Sequence, residues 1–209
     1  MKEVKNLMFD LGGVIMKIRR LNAVEALEKL GLTDAGEMLG EYGQKGPFLA
    51  LEKGLITPAE FRDELRARIN GRKPTDAELD SAFSRFLVGI PVGRLSELEM
   101  LRRNHRIFLL SNTNAIMWNG FIDEEFRKDG HDISHYFDGT IASFDVKAYK
   151  PDAAIFLKAI EKFKIDPEET LFFDDSEANC EAARAIGFYA VHVADERPFA
   201  ELMSTNGYE

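Results

Sequence analysis

The stretch Leu7-Met8-Phe9-Asp10-Leu11-Gly12-Gly13-Val14-Ile15 decides how this sequence is interpreted. A short apolar run ends at an aspartate, and two glycines and a β-branched pair follow. Apolar runs of this length with flanking glycines are typical of buried strands. Glycine also allows a sharp turn and the close approach of a ligand to the backbone. The pattern predicts a strand whose carboxyl end presents Asp10 to a ligand.

The bulk composition is that of a globular protein with one large domain, or one domain carrying an insertion. The chain has 209 residues, of which 45% are hydrophobic and 30% charged, and its net charge is -9. Nucleic acids and anionic membranes bind basic surfaces, so this charge argues against both as the main partner. A small anionic ligand stays possible, because a local field can still attract it.

Cysteine content and hydropathy indicate the compartment. Cys180 is the single cysteine, which excludes an intramolecular disulfide and suits a reducing cytosol. No apolar stretch approaches the roughly 18 residues of a membrane span, and the run before Asp10 is too short for a signal peptide. We expect a cytoplasmic protein, monomeric or weakly homodimeric, without nucleic-acid or membrane partners.

A helical segment follows the first strand. Helical spacing of apolar residues replaces the strand pattern for about eighty residues, and Thr57-Pro58-Ala59-Glu60 and Thr75-Asp76-Ala77-Glu78 are capping boxes that begin helices. A bundle of about four helices is predicted between the first strand, which ends at Asp10, and the later strands with which it should pair in a sheet. We therefore expect a helical cap at residues 17–91, inserted into a core of residues 1–16 and 92–209.

The rest of the chain alternates between strands and helices. Its apolar runs are continuous, as in parallel strands that are buried on both faces, and the helices between them imply right-handed crossovers. The predicted fold is an α/β doubly wound parallel sheet with an inserted helical bundle. Two later strands end in polar pairs, Ser111-Asn112 and Asp174-Asp175.

These strand ends should form one site, since ligands of open parallel sheets bind beyond the carboxyl ends of the strands. Asp10, Asp174 and Asp175 would meet there, and Lys150, at a helix start, can point to the same edge. Converging carboxylates repel one another unless a cation neutralises them, and oxygen ligands suit Mg²⁺. A lysine and a serine match the needs of a phosphoryl group.

The order of these residues resembles a known family. Phe-Asp10-Leu-Gly-Gly-Val, Leu-Leu-Ser111-Asn112-Thr-Asn, Lys150-Pro-Asp and Phe-Phe-Asp174-Asp175-Ser look like the four motifs of the haloacid dehalogenase-like superfamily, and the helical insertion resembles its cap. The chain is most similar to the branch with sugar-1-phosphate phosphatases and the N-terminal phosphatase domain of epoxide hydrolases. The resemblance implies a Mg²⁺-dependent phosphomonoester hydrolase acting on a small phosphorylated metabolite, with a sugar phosphate favoured.

The resemblance also implies a role for each motif residue. Asp10 matches the nucleophile that becomes an aspartyl-phosphate, and Lys150 the cation that neutralises it and the phosphate. The implied metal ligands are Asp10, the carbonyl of Gly12, Asp175 and Asp174, the last directly or through water. The implied phosphate-binding residues are Ser111, Asn112, Lys150, Leu11 and Gly12. In the cap, the implied substrate-facing residues are Phe48, Glu52, Lys53 and Gly54.

One position departs from the family pattern. Most phosphatases of the superfamily carry an aspartate two residues after the nucleophile, where it protonates the leaving oxygen, but this chain has Gly12. General acid catalysis contributes about 10²–10⁴-fold, so its loss has to be offset. An anomeric leaving group, which is more acidic than a simple alcohol, is one hypothesis. A proton relayed by water or by a residue of the cap is another.

Gly12 leaves two rival functions open. A 2-haloacid dehalogenase also uses an aspartate nucleophile without the second acid, but it needs no metal and has no use for Asp174 and Asp175. A non-catalytic protein that binds a phosphorylated ligand is the other rival, and the retained Asp10, Ser111, Lys150 and Asp175 argue against it.

Overall fold

A computed structural model of the chain describes residues 3–40 and 43–209. In chain order its elements are β1 (Asn6–Phe9), β2 (Lys17–Ile18), α1 (Arg20–Lys29), α2 (Ala35–Met38), α3 (Gly46–Glu52), α4 (Pro58–Arg68), α5 (Asp76–Ser84), β3 (Leu87–Gly89), α6 (Arg94–Leu101), β4 (Arg106–Ser111), α7 (Ala115–Met117), a π-helical turn (Trp118–Ile122), α8 (Asp123–Arg127), α9 (Ile133–Tyr136), β5 (Gly139–Ala142), α10 (Ser143–Val146), α11 (Ala153–Phe163), a 3₁₀ turn (Pro167–Glu169), β6 (Thr170–Asp174), α12 (Glu177–Ile186), β7 (Tyr189–His192) and α13 (Phe199–Thr205).

The central sheet has the strand order β5-β4-β1-β6-β7. All its strand pairs are parallel, and β1 lies between β4 and β6. Helices connect the strands, so the predicted α/β doubly wound parallel sheet is confirmed. Because β1 is central, the residue that follows it faces both neighbouring strand ends.

Alternate residues of the strands enter two apolar layers, one on each face of the sheet. Phe9 and Phe173 belong to the first layer, while Met8 and Phe172 belong to the second. The rings of Phe9 and Phe173 stack with their centroids 4.8 Å apart. Each ring immediately precedes a predicted site aspartate, so packing in the core holds the two strand ends side by side.

The helical insertion begins and ends at a short antiparallel ladder. Lys17 pairs with Gly89 and Ile18 with Leu87, which joins β2 to β3. In the described part of this segment, residues 19–40 and 43–86, five helices, α1 to α5, lie between these strands, where about four were predicted. Thr57 and Thr75 form the capping boxes that the sequence predicted, so both helix starts are confirmed. The first apolar layer continues into the insertion. The boundaries of the cap stay a prediction.

The sequence did not indicate how the chain runs between β4 and β5. Between α7 and α8 the π-helical turn interrupts the helical path at Gly120, whose φ of -114° and ψ of -106° are not helical. Glycine tolerates this conformation because it has no Cβ. Within residues 3–40 and 43–209, no helix is long and apolar enough to cross a membrane.

Candidate active site

Backbone pairing brings Asp10 next to Asp174. Phe9 pairs with Phe173 in the register of β1 and β6, and the Asp10 N–H continues the ladder by donating to the Phe173 carbonyl at 2.8 Å. On the other side of β1, Phe9 is level with Leu109, two residues before Ser111. The predicted gathering of polar side chains at one edge of the sheet therefore follows from strand register.

Lys150 is the cation of this edge. Its side chain is fully buried, and its ammonium lies 2.8 Å from Asp10 Oδ1 and 2.7 Å from Asp174 Oδ2. Burial alone would lower the pKa of Lys150, but the charges of the two aspartates overcome that effect and raise the pKa above its usual value. Lys150 therefore stays charged and fixed between two carboxylates.

Asn112 positions this lysine. Its Nδ2–H donates to the Lys150 carbonyl at 3.0 Å, and its Oδ1 accepts from the Lys150 N–H at 2.8 Å. Both ends of the amide are thus used on the lysine backbone. The sequence predicted that Asn112 supports phosphate through its amide or its backbone. Because the side-chain amide contacts Lys150, the backbone N–H of Asn112 is the group that remains to bind phosphate.

Asp174 is held on both carboxylate oxygens. Oδ1 accepts from the Ser176 N–H and the Asn179 side chain, each at 2.9 Å, while Oδ2 accepts from Lys150. The residue is completely buried. Asp174 is therefore suited to orient Lys150, and its oxygens are already engaged before any metal binds.

Asp10, Asp174 and Asp175 form an acidic cluster in which one carboxylate oxygen of each lies within 4.8 Å of the others. Burial raises the pKa of Asp10 to about 7, with Asp174 and Asp175 adding to the rise and Lys150 opposing it. Burial and Asp174 likewise raise the pKa of Asp175 to about 6. One ammonium does not neutralise three carboxylates, so a divalent cation fits this cluster.

The contact of Asp10 Oδ1 with Lys150 supports this fit. The two atoms are close enough for an ion pair, but the angle does not make a well-formed hydrogen bond, and the oxygen is buried without another partner among the described residues. A buried carboxylate oxygen in this state retains ligand capacity. Together with the all-oxygen donor set, it suits Mg²⁺.

The two glycines after Asp10 have different roles. Gly13 has a φ of +74°, and a Cβ on it would lie 2.1 Å from Asp175 Oδ2. It is therefore Gly13 that makes room for the metal-site aspartate. A Cβ on Gly12 would meet only the Cγ2 of Ile18, at 3.3 Å. The fold therefore has space for a side chain at position 12, where this chain departs from the family pattern.

Ser111 and Leu11 lie beside this cluster. Ser111 ends β4 and is buried, and both residues line a small cavity of about 50 Å³ that Gly12 and Glu52 also line. The Leu11 carbonyl accepts the N–H groups of Ile15 and Met16, which closes the turn after Asp10. The predicted phosphate-binding residues other than Lys150 thus line one space.

A segment of the insertion, Glu52 to Gly54, covers the site. The Glu52 side chain accepts a hydrogen bond from the Tyr149 hydroxyl at 3.0 Å, and its carbonyl lies 2.7 Å from Ser143 Oγ. Gly54 has a φ of +63°, and a Cβ there would lie 2.1 Å from the Phe144 carbonyl. Residues 52–54, which we call the cap loop, therefore contact the core directly.

Glu52 faces the acidic cluster. With Asp10, Gly12, Tyr149 and Asp175 it lines a second cavity, of about 90 Å³. Burial raises the pKa of Glu52 to about 8, the nearby Asp10 adds to the rise, and the hydrogen bond from Tyr149 opposes it. The carboxyl group is therefore largely protonated near neutral pH.

One predicted substrate-facing residue lies elsewhere. Phe48 is completely buried, and its ring packs edge-on against Phe61 and Phe83 at centroid distances of 5.1 and 5.0 Å. In this structure Phe48 is therefore not among the residues that line the two cavities, unlike Glu52. Its position in α3 turns it into the core of the insertion, one helical turn before Glu52. Lys53 lies over the Tyr149 ring, with its ammonium 5.7 Å from the centroid.

Four residues that the sequence did not single out also line these cavities. Tyr149 precedes the motif lysine, and a lysine preceded by a tyrosine carries no signal of its own. The others come from the insertion and its connections and line both spaces: Ile18, Gln44 and Phe86. No spacing rule links these positions to Asp10, so only the folded chain shows them together.

Comparison with known proteins places this site in a family. The haloacid dehalogenase-like hydrolase family matches residues 4–187. A D-ribitol-5-phosphate phosphatase of Bacteroides thetaiotaomicron is 36% identical over 185 residues, which cover 88% of this chain and 89% of that protein.

Solved structures show the same similarity. A haloacid dehalogenase family enzyme of B. thetaiotaomicron, in complex with magnesium and inorganic phosphate, aligns with a TM-score of 0.87 and 37% identity over 94% of this chain and 98% of its own. A predicted hydrolase of Porphyromonas gingivalis aligns with a TM-score of 0.88 and 33% identity over 97% of each chain. The magnesium in the structure of the B. thetaiotaomicron enzyme agrees with the expectation of Mg²⁺, and the chain belongs to the haloacid dehalogenase-like hydrolases.

Proposed function

We propose that this enzyme hydrolyses the phosphomonoester of a small phosphorylated sugar or polyol by transferring the phosphoryl group to Asp10. The observation that carries the proposal is the contact of one fully buried lysine with both Asp10 and Asp174 at the end of the central strand. A lysine held in this way gives the nucleophile and the incoming phosphate a common positive partner. The similarity to a ribitol-phosphate phosphatase supports the class of substrate.

The side chains divide the reaction between them. Asp10 attacks phosphorus and becomes an acyl phosphate, which water then hydrolyses. Lys150 stabilises negative charge on the phosphoryl oxygens as it develops, and Asp174 and Asn112 keep Lys150 in place from its two ends. Ser111 donates its hydroxyl to a phosphoryl oxygen, together with backbone N–H groups of Leu11, Gly12 and Asn112.

Residues of the same edge would hold Mg²⁺. Asp10 and Asp175 are the proposed carboxylate ligands, with the Gly12 carbonyl as a third. Because both oxygens of Asp174 already accept hydrogen bonds, we propose that it acts through a water molecule. When bound, the ion supplies positive charge that neutralises the acidic cluster and the phosphoryl oxygens.

We further propose that residues 17–91 act as the cap and select the substrate. Glu52, Gln44, Ile18 and Phe86 face the cavities, and the cap loop closes on the core. Cavities this small require the cap to move when a sugar phosphate enters or its product leaves. The β2–β3 ladder is the proposed connection about which it moves.

A panel of phosphate esters tests the proposed function. Wild type and Asp10→Asn are assayed with sugar-1-phosphates, with sugar and polyol phosphates on primary alcohols, and with a 2-haloacid, in Mg²⁺ and after chelation. We expect hydrolysis of phosphate esters that needs Mg²⁺ and falls by at least about 10⁴-fold in Asp10→Asn. Chelator-resistant release of halide would favour the dehalogenase, and equal signals from the two proteins would favour a binding protein.

The same panel tests the leaving-group hypothesis. If an acidic anomeric alcohol offsets the glycine at position 12, sugar-1-phosphates should be hydrolysed much faster than primary esters. Equal turnover of the two classes would reject that hypothesis. The name of the ribitol-5-phosphate phosphatase points to a primary ester in that relative, which makes the source of the proton a question for this chain.

A further inference from the structure

A leaving alcohol needs a proton, and Gly12 has no side chain to donate one. A general acid has to lie on the side of the phosphorus away from the nucleophile, because attack and departure are in line. Asp10 approaches from the sheet. The insertion supplies the opposite wall of the cavity, so an acid there would face the leaving oxygen.

Glu52 is the carboxyl group at that wall. It is the last residue of α3, is only 6% exposed, and lines the cavity that Asp10 and Gly12 also line. The Tyr149 hydroxyl donates a hydrogen bond to Oε2 of Glu52. The Ser143 hydroxyl donates to the Glu52 carbonyl and so fixes the backbone of Glu52. One carboxyl oxygen is thus anchored on the core, which leaves Oε1 for a ligand in the cavity.

From this arrangement we infer that Glu52 of the cap is the general acid that protonates the leaving group, in place of the aspartate that the family usually carries at position 12. The inference rests on the proposed phosphatase function. It makes closure of the cap a requirement for chemistry, because the acid reaches the site only when the cap loop contacts the core.

The proposed reaction transfers one phosphoryl group and one proton. An Asp10 oxygen forms a bond to phosphorus while the bond from phosphorus to the leaving oxygen breaks, and the Glu52 proton passes to that oxygen to give the free alcohol. Glu52 is then a carboxylate. Water then attacks the phosphorus of the acyl phosphate and loses its proton to the solvent, which releases phosphate and restores Asp10, while Glu52 takes a proton back from the solvent before the next turnover.

The electrostatics support this role. The raised pKa of about 8 keeps the Glu52 proton in place at neutral pH. Asp10 and Asp175 face it across the cavity, Tyr149 donates to it, and Lys53 lies over the ring of that tyrosine. As the pH rises through about 8, Glu52 loses its proton and the acid form disappears.

A series of leaving groups tests the inference. Alkyl phosphates, such as polyol phosphates, need the proton, whereas 4-nitrophenyl phosphate leaves as a stable anion. We expect Glu52→Gln to lower kcat on alkyl phosphates by about 10²–10⁴-fold and to change kcat on 4-nitrophenyl phosphate by less than about threefold. Glu97→Gln is the matched control, since the Glu97 side chain is also mostly buried, at 12% exposed, and is paired with Arg94 away from the site. It should leave both substrates unaffected.

An equal loss on both substrates, or a rise in KM alone, would overturn the inference and assign Glu52 to substrate binding. Retained aryl phosphatase activity shows that the variant is folded. If wild type hydrolyses neither class, the proposed function itself fails, which is a separate result.

The wild-type protein gives a test that needs no folded variant. The measured quantity is kcat on an alkyl phosphate divided by kcat on 4-nitrophenyl phosphate, as a function of pH. Groups that both reactions use, including Asp10 and Asp175, change the two kcat values equally as they titrate, so their effect cancels in this ratio. We expect this ratio to fall as the pH rises through about 8 and to be independent of pH in Glu52→Gln. A ratio that is constant in wild type from about pH 7 to about pH 9, an interval about one unit to either side of that pKa, would overturn the inference.

Discussion

The edge of the sheet and the cap loop both contribute carboxyl groups to one cavity, but they are positioned in different ways. Asp10 and Asp174 follow paired strands, so the backbone ladder determines their separation. Glu52 comes from another part of the fold and is positioned by contacts with Ser143 and Tyr149. The first arrangement exists in any folded molecule, whereas the second exists only when the cap is closed.

This difference suggests a division of labour. Groups that bind the phosphoryl group lie on the rigid sheet, where a shift of a few tenths of an ångström would be costly. The group that we infer completes the reaction lies on the proposed cap, which we propose moves as substrate enters. Water is then excluded before the proton is transferred, because the proton donor arrives with the wall that closes the cavity.

Removing the lysine at the edge of the sheet should have the largest effect. In Lys150→Met, Asp10 and Asp174 lose their shared cation in a buried place. We expect kcat to fall by about 10²–10³-fold and the free energy of unfolding, measured in denaturant without Mg²⁺, to fall by about 3–5 kcal/mol. Lys158→Met, at an exposed site in α11, is the control and should change neither quantity. Normal turnover in Lys150→Met would contradict the proposed role of the lysine.

The site at the edge of the sheet could be predicted from the sequence for a physical reason. Each of its residues follows a buried apolar run or begins a helix, and parallel strands end at one edge. Asp10, Ser111 and Asp174 could therefore be brought together without knowledge of the packing. The hydrogen bonds that Asn112 makes to the backbone of Lys150 could not, because they depend on a loop whose path no periodicity encodes.

The cap loop could be predicted only as a segment. Phe48 and Glu52 are four residues apart in one helix and were both expected to face the substrate, yet one lies in the core of the insertion and the other faces the cavity. Residues four apart share one face of a helix, so the two differ in what lies opposite each position along α3: Phe61 and Phe83 pack on Phe48, whereas Glu52, at the end of the helix, reaches the core, which is a tertiary property. The role of Gly54 likewise depends on the Phe144 carbonyl, far away in the sequence.

A methyl group at Gly54 should disturb closure without disturbing the edge of the sheet. In Gly54→Ala the new Cβ would meet the Phe144 carbonyl oxygen, in a backbone conformation that alanine rarely adopts. We expect kcat on an alkyl phosphate to fall by about tenfold, because a shift of about 1 Å in a catalytic group costs up to about 100-fold. Steady-state kinetics with Mg²⁺ measure this effect.

Gly71→Ala is the matched control for that variant. Gly71 also has a positive φ, of +81°, but no atom lies within 4 Å of a Cβ built there. Both substitutions should lower the free energy of unfolding by about 1 kcal/mol through backbone strain, Gly54→Ala should lose more because of its contact with the Phe144 carbonyl, and only Gly54→Ala should slow catalysis. Equal kinetics in the two variants would show that contact between the cap loop and the core is not needed for turnover.

Two phenylalanines of the insertion give the smallest and most specific test. Phe86 is partly buried and lines both cavities, whereas Phe48 is enclosed by Phe61 and Phe83. We expect Phe48→Leu to lower the free energy of unfolding by about 1–2 kcal/mol and to leave KM within about twofold, since the ring touches no substrate. Phe86→Leu should raise KM by about threefold to tenfold at nearly unchanged stability, because it alters a wall of the cavity. A larger KM effect from Phe48→Leu would mean that α3 turns its phenylalanine toward the substrate when the ligand binds, and the orientation assigned to Glu52 on the same helix would then have to change with it.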